Sequence, residues 1–387
     1  MDSSVGACNA EGQRVVSSLP KVSVVIPMLN ERPYIRGCLD SLLANDYPRD
    51  LLEILVVDGG STDGSREIVL DYSRTFPFIR LLDNPRRIVP VALNIGFREA
   101  TGDIIVRADA HTRYAPDYIR QCVELLLTTG ASNVGGVQRA VGTNYISRAI
   151  AAAVSTPFGA GDAYYRYVEK ETWVDTVYLG AWRKATLTAL GGFREDMEAN
   201  EDYEFNVRLR MPESVRGSDQ PGPFNVGLPV NQDYELNYRV RKYGGKILLS
   251  PRIRCWYYVR PSLRALSRQY FRYGFWKVRT LVLHPESLRW RQLAPPALVM
   301  GLALSGVAAA FHSRFWFVIP AVYTAANVSA SLYTAARKGW IYAPALPVVF
   351  ATVHLSWGLG FLAGILKWGM PRWTFRTLVK AFGPAQP

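Results

Sequence analysis

Cysteine and histidine are scarce in this chain, four of each among 387 residues, and no two cysteines stand in CxxC spacing. Cys8, Cys38, Cys122 and Cys255 therefore predict neither a zinc site nor a disulfide framework; they fit a reducing compartment as packing residues. No GxGxxG follows the first strand-like run, which disfavours a dinucleotide such as NAD. The opening stretch, "MDSSVGACNAEGQRVVSSLP", lacks an apolar run of signal-peptide length and carries acids. Residues 1–20 thus read as a short disordered tail, and the large domain as cytoplasmic. Acids are also outnumbered: 32 Asp and Glu against 45 Lys and Arg give a net charge of +13.

Long uncharged runs are present, but only late in the chain: Leu293 to Phe311, Phe315 to Tyr333, and Ile341 to Leu366. Each is long enough to span a bilayer as a helix, so residues 292–368 are expected to be transmembrane, in about three spans. If all three cross, the basic tail at 369–387 ends outside, against the positive-inside tendency, and a re-entrant or hairpin third run would resolve this. Basic residues thicken from Arg239 to Arg291. There "RPSLRALSRQYFRYGFWKVRT" interleaves Arg with aromatics, as interfacial helices on anionic lipid do, and residues 256–291 are read that way. Nucleic acid could use such a surface, but its position beside the apolar runs favours membrane lipids, and no nucleic-acid partner is expected.

The preceding region, 21–255, alternates strands with helices. "VSVVIP" (Val22 to Pro27), "EILVVD" (Glu53 to Asp58) and "DIIVRAD" (Asp103 to Asp109) are short apolar runs, and the segments between them space apolar residues at helical intervals. That predicts an α/β, doubly wound, mostly parallel sheet with ligands at the carboxyl ends of its strands. Those ends carry "PMLNE" (Pro27 to Glu31), "DGGSTDGS" (Asp58 to Ser65) and "DAH" (Asp109 to His111). Taken alone, Ser61, Thr62 or Asp63 could be no more than a helix N-cap.

A second pattern is a duplication. "NEDYEFNVRLR" (Asn200 to Arg210) is written again as "NQDYELNYRVR" (Asn231 to Arg241), within a repeated segment spanning about 191–252. Two copies make an insertion, not a solenoid, which needs at least three units.

"VSVVIPMLNE", "ILVVDGGSTDGS", "ALNIGFREATGDIIVRADAH", "GGF" with "NEDYEFNVRLR", and "RQYFRYGFWK" together resemble, in order and rough spacing, a family 2 glycosyltransferase of GT-A fold. The likeness is nearest to the succinoglycan-type, ExoA-like branch, which adds sugars to lipid-linked exopolysaccharide intermediates. It covers about Val22 to Arg291 and implies a nucleotide-sugar half at about 21–112 and an acceptor half at about 113–255. It further implies that Pro27, Asn30 and Glu31 line the nucleoside pocket and that Asp58 accepts from a pyrimidine N–H, hence a UDP-sugar donor. Arg86 and Asn94, in "NPRRIVPVALNIG", either pass beside the nucleotide or merely begin a surface helix.

Asp109 and His111 stand where the family has Asp-x-Asp, with i and i+2 side chains on one side of a strand. The resemblance implies a divalent metal there. Imidazole replaces the second carboxylate, which predicts Mn²⁺ in preference to Mg²⁺; alternatively His111 only bonds nearby backbone. The implied general base is the Asp at a helix start after "GGF". Asp202 follows "GGF" and Asp233 follows "GPF" at the same interval, so both are candidates. Gln269, Arg272 and Tyr273 resemble the Q-x-x-R-W element, with Arg at the donor diphosphate and the aromatic beside the acceptor; a plain interfacial anchor is the other reading.

The expected function is a membrane-bound, inverting, metal-dependent hexosyltransferase acting on a lipid-linked saccharide, with its catalytic domain on the cytoplasmic face of the cell membrane. Other polysaccharide-assembly proteins are candidate partners. Two alternatives stay open: polyprenyl phosphate itself as acceptor, and a non-catalytic scaffold of an assembly complex.

Overall fold

The computed structural model describes residues 19–161, 163–174, 177–189, 246–283, 285, 288–311 and 313–371. Asp202 and Asp233, the duplicated helix starts around them, residues 1–18 and residues 372–387 lie outside the described residues.

The elements run β1 (Val22–Met28), α1 (Ile35–Leu43), β2 (Leu52–Asp58), α2 (Ser65–Thr75), β3 (Ile79–Asp83), α3 (Val89–Glu99), β4 (Ile104–Arg107) and β5 (Thr112–Tyr114). There follow α4 (Tyr118–Thr128), β6 (Asn133–Val141), α5 (Tyr145–Val154), α6 (Pro157–Ala160), β7 (Thr172–Trp173), β8 (Tyr178–Arg183), α7 (Lys184–Ala189) and β9 (Ile247–Tyr258). The strands form one sheet in the order β3-β2-β1-β4-β8-β6-β9-β5, with β7 on β9. From β3 to β4 every pairing is parallel. Beyond β4 the sheet is mixed: β8 runs antiparallel to both β4 and β6, while β6 and β9 are parallel.

The parallel half is buried on both faces, which is why its strands read as continuous apolar runs. Val24, Ile26, Ile54 and Val56 pack with Leu39 and Leu42 of α1 on one face. Their neighbours Val25, Leu55 and Val57 pack with Leu93 of α3 and with Trp182 on the other. Glu53 is a buried polar residue in β2. Its carboxylate accepts from the Ser23 hydroxyl and from Thr101, whose hydroxyl lies at 2.8 Å, so the chain end entering β4 is tied to β1 and β2. Cys38, Cys122 and Cys255 are buried and unbridged, and burial pushes each thiol well above its usual range.

After β9 come α8 (Leu263–Leu283), α9 (Ala294–Phe311), α10 (Val318–Lys338) and α11 (Leu346–Trp368). The last three carry windows long and apolar enough to cross a membrane. After a 3-10 turn at Trp340–Tyr342 the third apolar run continues as one unbroken helix of 23 residues, not a re-entrant loop or hairpin. Pro347 does not break it because proline sits in the first turn, where its missing N–H has no intrahelical partner to lose.

The three helices are not equivalent. The window in α11 is 44% buried, against 11% in each of the others, so α11 is the helix built into the protein. One apolar cluster joins Ile150 of α5, Leu266 and Tyr270 of α8, and Val349, Phe350 and Val353 of α11. α8, read from sequence as interfacial, runs against α11 along a seam of glycines. A Cβ on Gly274 would lie 2.0 Å from the Trp357 carbonyl oxygen, and one on Gly360 2.0 Å from that of Phe271. Close backbone approach of this kind needs small residues on both helices.

Candidate active site

The loops that follow β1, β2 and β3 meet at the carboxyl end of the parallel half. The Gly59 N–H donates to the Met28 carbonyl at 2.8 Å, and that of Asn84 donates to the Asp58 carbonyl at 2.7 Å. Asn30 takes a left-handed conformation (φ 57°), which asparagine tolerates better than most residues. Its N–H donates to Ser61 Oγ at 2.8 Å, and its Oδ1 accepts from the Thr62 N–H at 2.9 Å. Asp63 likewise accepts from the N–H groups of both Arg32 and Ser65. The "STD" triplet is thus not the N-cap of α2, which is Gly64; it ties the second loop to the first. The residue before α2 is Gly64 at φ 92°, a turn that other residues rarely make.

Asp58 ends β2 with its carboxylate fully buried. It accepts from the Ser61 N–H at 3.1–3.2 Å, from the Ser61 hydroxyl at 2.6 Å and from Arg66 Nη1 at 3.2 Å. Arg66 also bridges Asp83, at 2.6 Å, at the end of the neighbouring strand. The Ser61 N–H is shared by both oxygens, so of the carboxylate's roughly four lone-pair sites at most one is left for a base N–H. Pro27 lies in β1 opposite Val57. Arg86 is exposed in the turn before α3, and Asn94 is buried within that helix.

A second cluster stands beyond β4. Asp109 is anchored through its backbone: its N–H donates to the Tyr114 hydroxyl at 2.7 Å, which in turn donates to its carbonyl at 3.2 Å. Its Oδ2 accepts from the Tyr178 hydroxyl at 2.9 Å, and its Oδ1 lies 3.5 Å from Arg107 Nη2. Burial and the Asp109 charge raise the Tyr178 phenol well above its ordinary pKa, so it stays a donor. His111 does not spend its ring on backbone; Nδ1 lies 3.0 Å from Glu31 Oε1. Burial opposes charging of this imidazole, but the Glu31 hydrogen bond and the Asp109 and Glu31 charges prevail, and its pKa is raised. Glu31, expected on the nucleoside, thus reaches the second cluster and joins the two.

The donor set suits a divalent cation: a carboxylate, and an imidazole whose other nitrogen rests on a second carboxylate, an arrangement common among histidine ligands. Among the described residues no group of three or more His, Cys, Asp and Glu side chains forms a ready-made metal cage.

Helix α8 reaches this cluster through Tyr257. Gln269 Nε2 donates to the Tyr273 hydroxyl at 2.8 Å and to that of Tyr257 at 3.5 Å. The Tyr257 ring meets His111 edge-on, with centroids 5.3 Å apart. Gln269 and Tyr273 are therefore brought to the Asp109–His111 end, whereas Arg272 is exposed on α8. Nothing in the sequence reading singled out Arg66, Tyr178 or Tyr257.

A parallel α/β half with polar loops at its carboxyl ends, joined to a mixed half, defines a GT-A-like nucleotide-sugar enzyme architecture. The family 2 glycosyl transferase model matches residues 23–174. The succinoglycan biosynthesis protein ExoA of Rhizobium meliloti (strain 1021) is 30% identical over 347 residues, 89% of this chain and 94% of ExoA. The chain belongs to glycosyl transferase family 2. The dolichyl N-acetyl-alpha-D-glucosaminyl phosphate 3-beta-D-2,3-diacetamido-2,3-dideoxy-beta-D-glucuronosyltransferase of Methanococcus voltae is 26% identical over 65% of this chain and 71% of its own length. Among solved structures, the mannosyltransferase PcManGT of Pyrobaculum calidifontis, in complex with GDP-Man and Mn²⁺, matches with a TM-score of 0.56. It is 23% identical and covers 86% of this chain and 87% of that one, a likeness of fold alone.

Proposed function

We propose that the protein is a membrane-bound inverting glycosyltransferase that moves a hexose from a UDP-sugar to a lipid-linked saccharide, in the synthesis of exopolysaccharide or another cell-surface glycan. It works in the cell membrane as a multi-pass protein with its catalytic domain on the cytoplasmic side. The observation that carries this reading is the continuity from Asp109 and His111 through Tyr257 to Gln269 on α8, the helix packed along the apolar helix α11. A sugar-transfer centre coupled to a membrane helix suits an acceptor held in lipid. The names of the ExoA relative, a succinoglycan biosynthesis protein, and of the Methanococcus relative, which acts on a dolichyl-linked sugar phosphate, support the same acceptor class.

In this reading Asp58, steadied by Ser61 and Arg66, accepts from the uracil N–H, and Pro27, Asn30, Glu31, Arg86 and Asn94 contribute to the nucleotide pocket. Asp109 and His111 hold a divalent ion, Mn²⁺ in preference to Mg²⁺, which when bound screens the diphosphate leaving group as a Lewis acid. Tyr178 orients the Asp109 carboxylate from behind. Either Asp202 or Asp233 removes the proton from the acceptor hydroxyl as its oxygen attacks the anomeric carbon. Gln269, Arg272 and Tyr273 attend the diphosphate and the acceptor.

The test uses membranes carrying the wild type, Asp202→Asn or Asp233→Asn, supplied with Mn²⁺ and radiolabelled UDP-sugars, with label followed into extractable lipid. Transfer lost in only one variant supports the enzyme and identifies its base. If no donor labels lipid in acceptor-rich extract, a scaffold role replaces this reading.

A further inference from the structure

Arg166 closes a short 3-10 turn, Tyr164–Arg166, between α6 and β7. On one side α6 is fastened to the membrane helix α11: the Phe158 carbonyl lies 2.8 Å from His354 Nε2, and the Phe158 and Phe350 rings meet edge-on at 5.0 Å. On the other side Tyr165 stacks on Tyr178 at 6.2 Å, and Tyr178 donates to Asp109. Arg166 therefore stands where the sugar-transfer centre meets the membrane helices.

Its surroundings are unusual for a cation. The guanidinium lies 5.8 Å from the Tyr165 ring centre, and Tyr257, Tyr270 and Tyr273 are near enough to act on its charge. Its Nε is buried with no hydrogen-bond partner. Among the described residues no carboxylate pairs with it, in contrast to Arg66, Arg80, Arg120, Arg252 and Arg254, which all have one. Aromatic faces and phenol oxygens offset part of the loss of water, but a half-buried cation whose Nε is shut off unpartnered, with no carboxylate beside it among the described residues, is a favourable place for an anion. A planar fork of donors suits the paired oxygens of a phosphate.

We infer that Arg166 and the tyrosines around it seat the phosphate that joins the acceptor saccharide to its lipid. This rests on the lipid-linked reading above. Position favours the acceptor's phosphate over the donor's: Tyr270 and Tyr273, which act on the guanidinium's charge, belong to α8, and α8 packs along α11, one of the helices that would hold the lipid. The cage also offers ring faces for the sugar that follows the phosphate.

The probes are farnesyl diphosphate, farnesol and UDP, each titrated into the full chain purified in detergent and followed by intrinsic fluorescence. The wild type is expected to bind farnesyl diphosphate at least tenfold more tightly than farnesol. Arg166→Met should abolish that preference and Arg166→Lys restore part of it, with UDP affinity within twofold of wild type in both, which also shows that the variants fold. The inference is overturned if Arg166→Met keeps the preference, or if the wild type has none. It is equally overturned if UDP binding falls in parallel, because the cation then serves the donor diphosphate. The lipid-linked reading stands apart: it fails if labelled sugar passes as readily to saccharides without lipid, whatever the farnesyl diphosphate titration shows.

Discussion

His111 Nδ1 lies 3.0 Å from Glu31 Oε1, and this contact joins the loop after β1 to the loop after β4. The pairing leaves Nε2 as the ring nitrogen available to a cation. A mixed oxygen and nitrogen site favours Mn²⁺ over Mg²⁺, which prefers oxygen ligands and retains water. The wild type is therefore expected to be about tenfold more active with Mn²⁺ than with Mg²⁺ at equal concentration, in keeping with ligand softness. His111→Asp restores two carboxylates and should bring the two activities within about threefold. Initial transfer rates across a titration of each metal check this, and an unchanged metal ratio in the variant would count against His111 as a ligand.

Tyr178 offers a gentler probe of the same centre, because it acts on Asp109 through one hydroxyl. Its hydroxyl donates to Asp109 Oδ2 at 2.9 Å and lies 3.1 Å from Thr112 Oγ1. Tyr178→Phe keeps the ring packing and removes the oxygen. Loss of such an outer partner typically weakens a metal site by roughly 10–100-fold. The Mn²⁺ concentration for half-maximal activity should rise accordingly, while activity at saturating Mn²⁺ recovers most of the wild-type value.

At the other end of the pocket, Arg66 fixes Asp58 and Asp83 together. Arg66→Met leaves the buried Asp58 carboxylate with Ser61 alone among the partners described. Charge-assisted hydrogen bonds of this kind are each worth about 1.5–3 kcal/mol, though partial exposure of Arg66 reduces that here. The variant is expected to bind UDP about three- to tenfold more weakly, as a loss near 1 kcal/mol implies. Isothermal titration with UDP measures it. Equal loss for GDP would mean that Arg66 supports the fold rather than base choice.

The parallel half was legible because its strands are local events: "VSVVIP", "EILVVD" and "DIIVRAD" became β1, β2 and β4. Their apolar runs, ended by Pro27, Asp58 and Asp109, also placed the polar loops at one edge of the sheet. What was not legible depends on residues far apart in sequence. Nothing near Tyr178 announces that its hydroxyl will meet Asp109, and Arg66 looks like any charged residue in a first helical turn. The α8 and α11 seam was hidden for a different reason: read locally, a glycine signals a break, whereas Gly274 and Gly360 permit contact. The charge of the basic tail suggested a re-entrant or hairpin third run, yet its helix runs unbroken from Leu346, after a separate turn at Trp340–Tyr342.

Glu53 provides a stability test that is independent of catalysis. Burial alone would raise its pKa, but hydrogen bonds from Ser23 and Thr101 more than offset that, and the folded value is lowered. A carboxyl depressed by folding contributes stability that is full above its unfolded pKa, about 4.3, and is lost as pH falls through the folded value. Thermal unfolding in detergent should therefore show a decline below about pH 5. Glu53→Gln should flatten that decline, and at neutral pH it should cost about 1–3 kcal/mol for weakened bonds to a charged acceptor.

The glycine seam makes the last claim about the fold itself. A methyl group on Gly274 or Gly360 would meet a carbonyl oxygen at 2.0 Å, and backbone cannot swing aside as the tip of a long side chain can. Either α8 moves away from α11 or the variant does not assemble. Overpacking of this kind costs about 1–3 kcal/mol where some relaxation is possible. Gly274→Ala and Gly360→Ala are each expected to lower the unfolding temperature in detergent by several degrees. Gly306→Ala, at a position in α9 with nothing within 4 Å of an added Cβ, should leave it unchanged. The pair should also be non-additive: once one methyl group has forced the helices apart, the second meets less resistance. A double variant no less stable than either single one would show that both glycines serve the same helix contact, whereas full additivity would mean that they act at separate places.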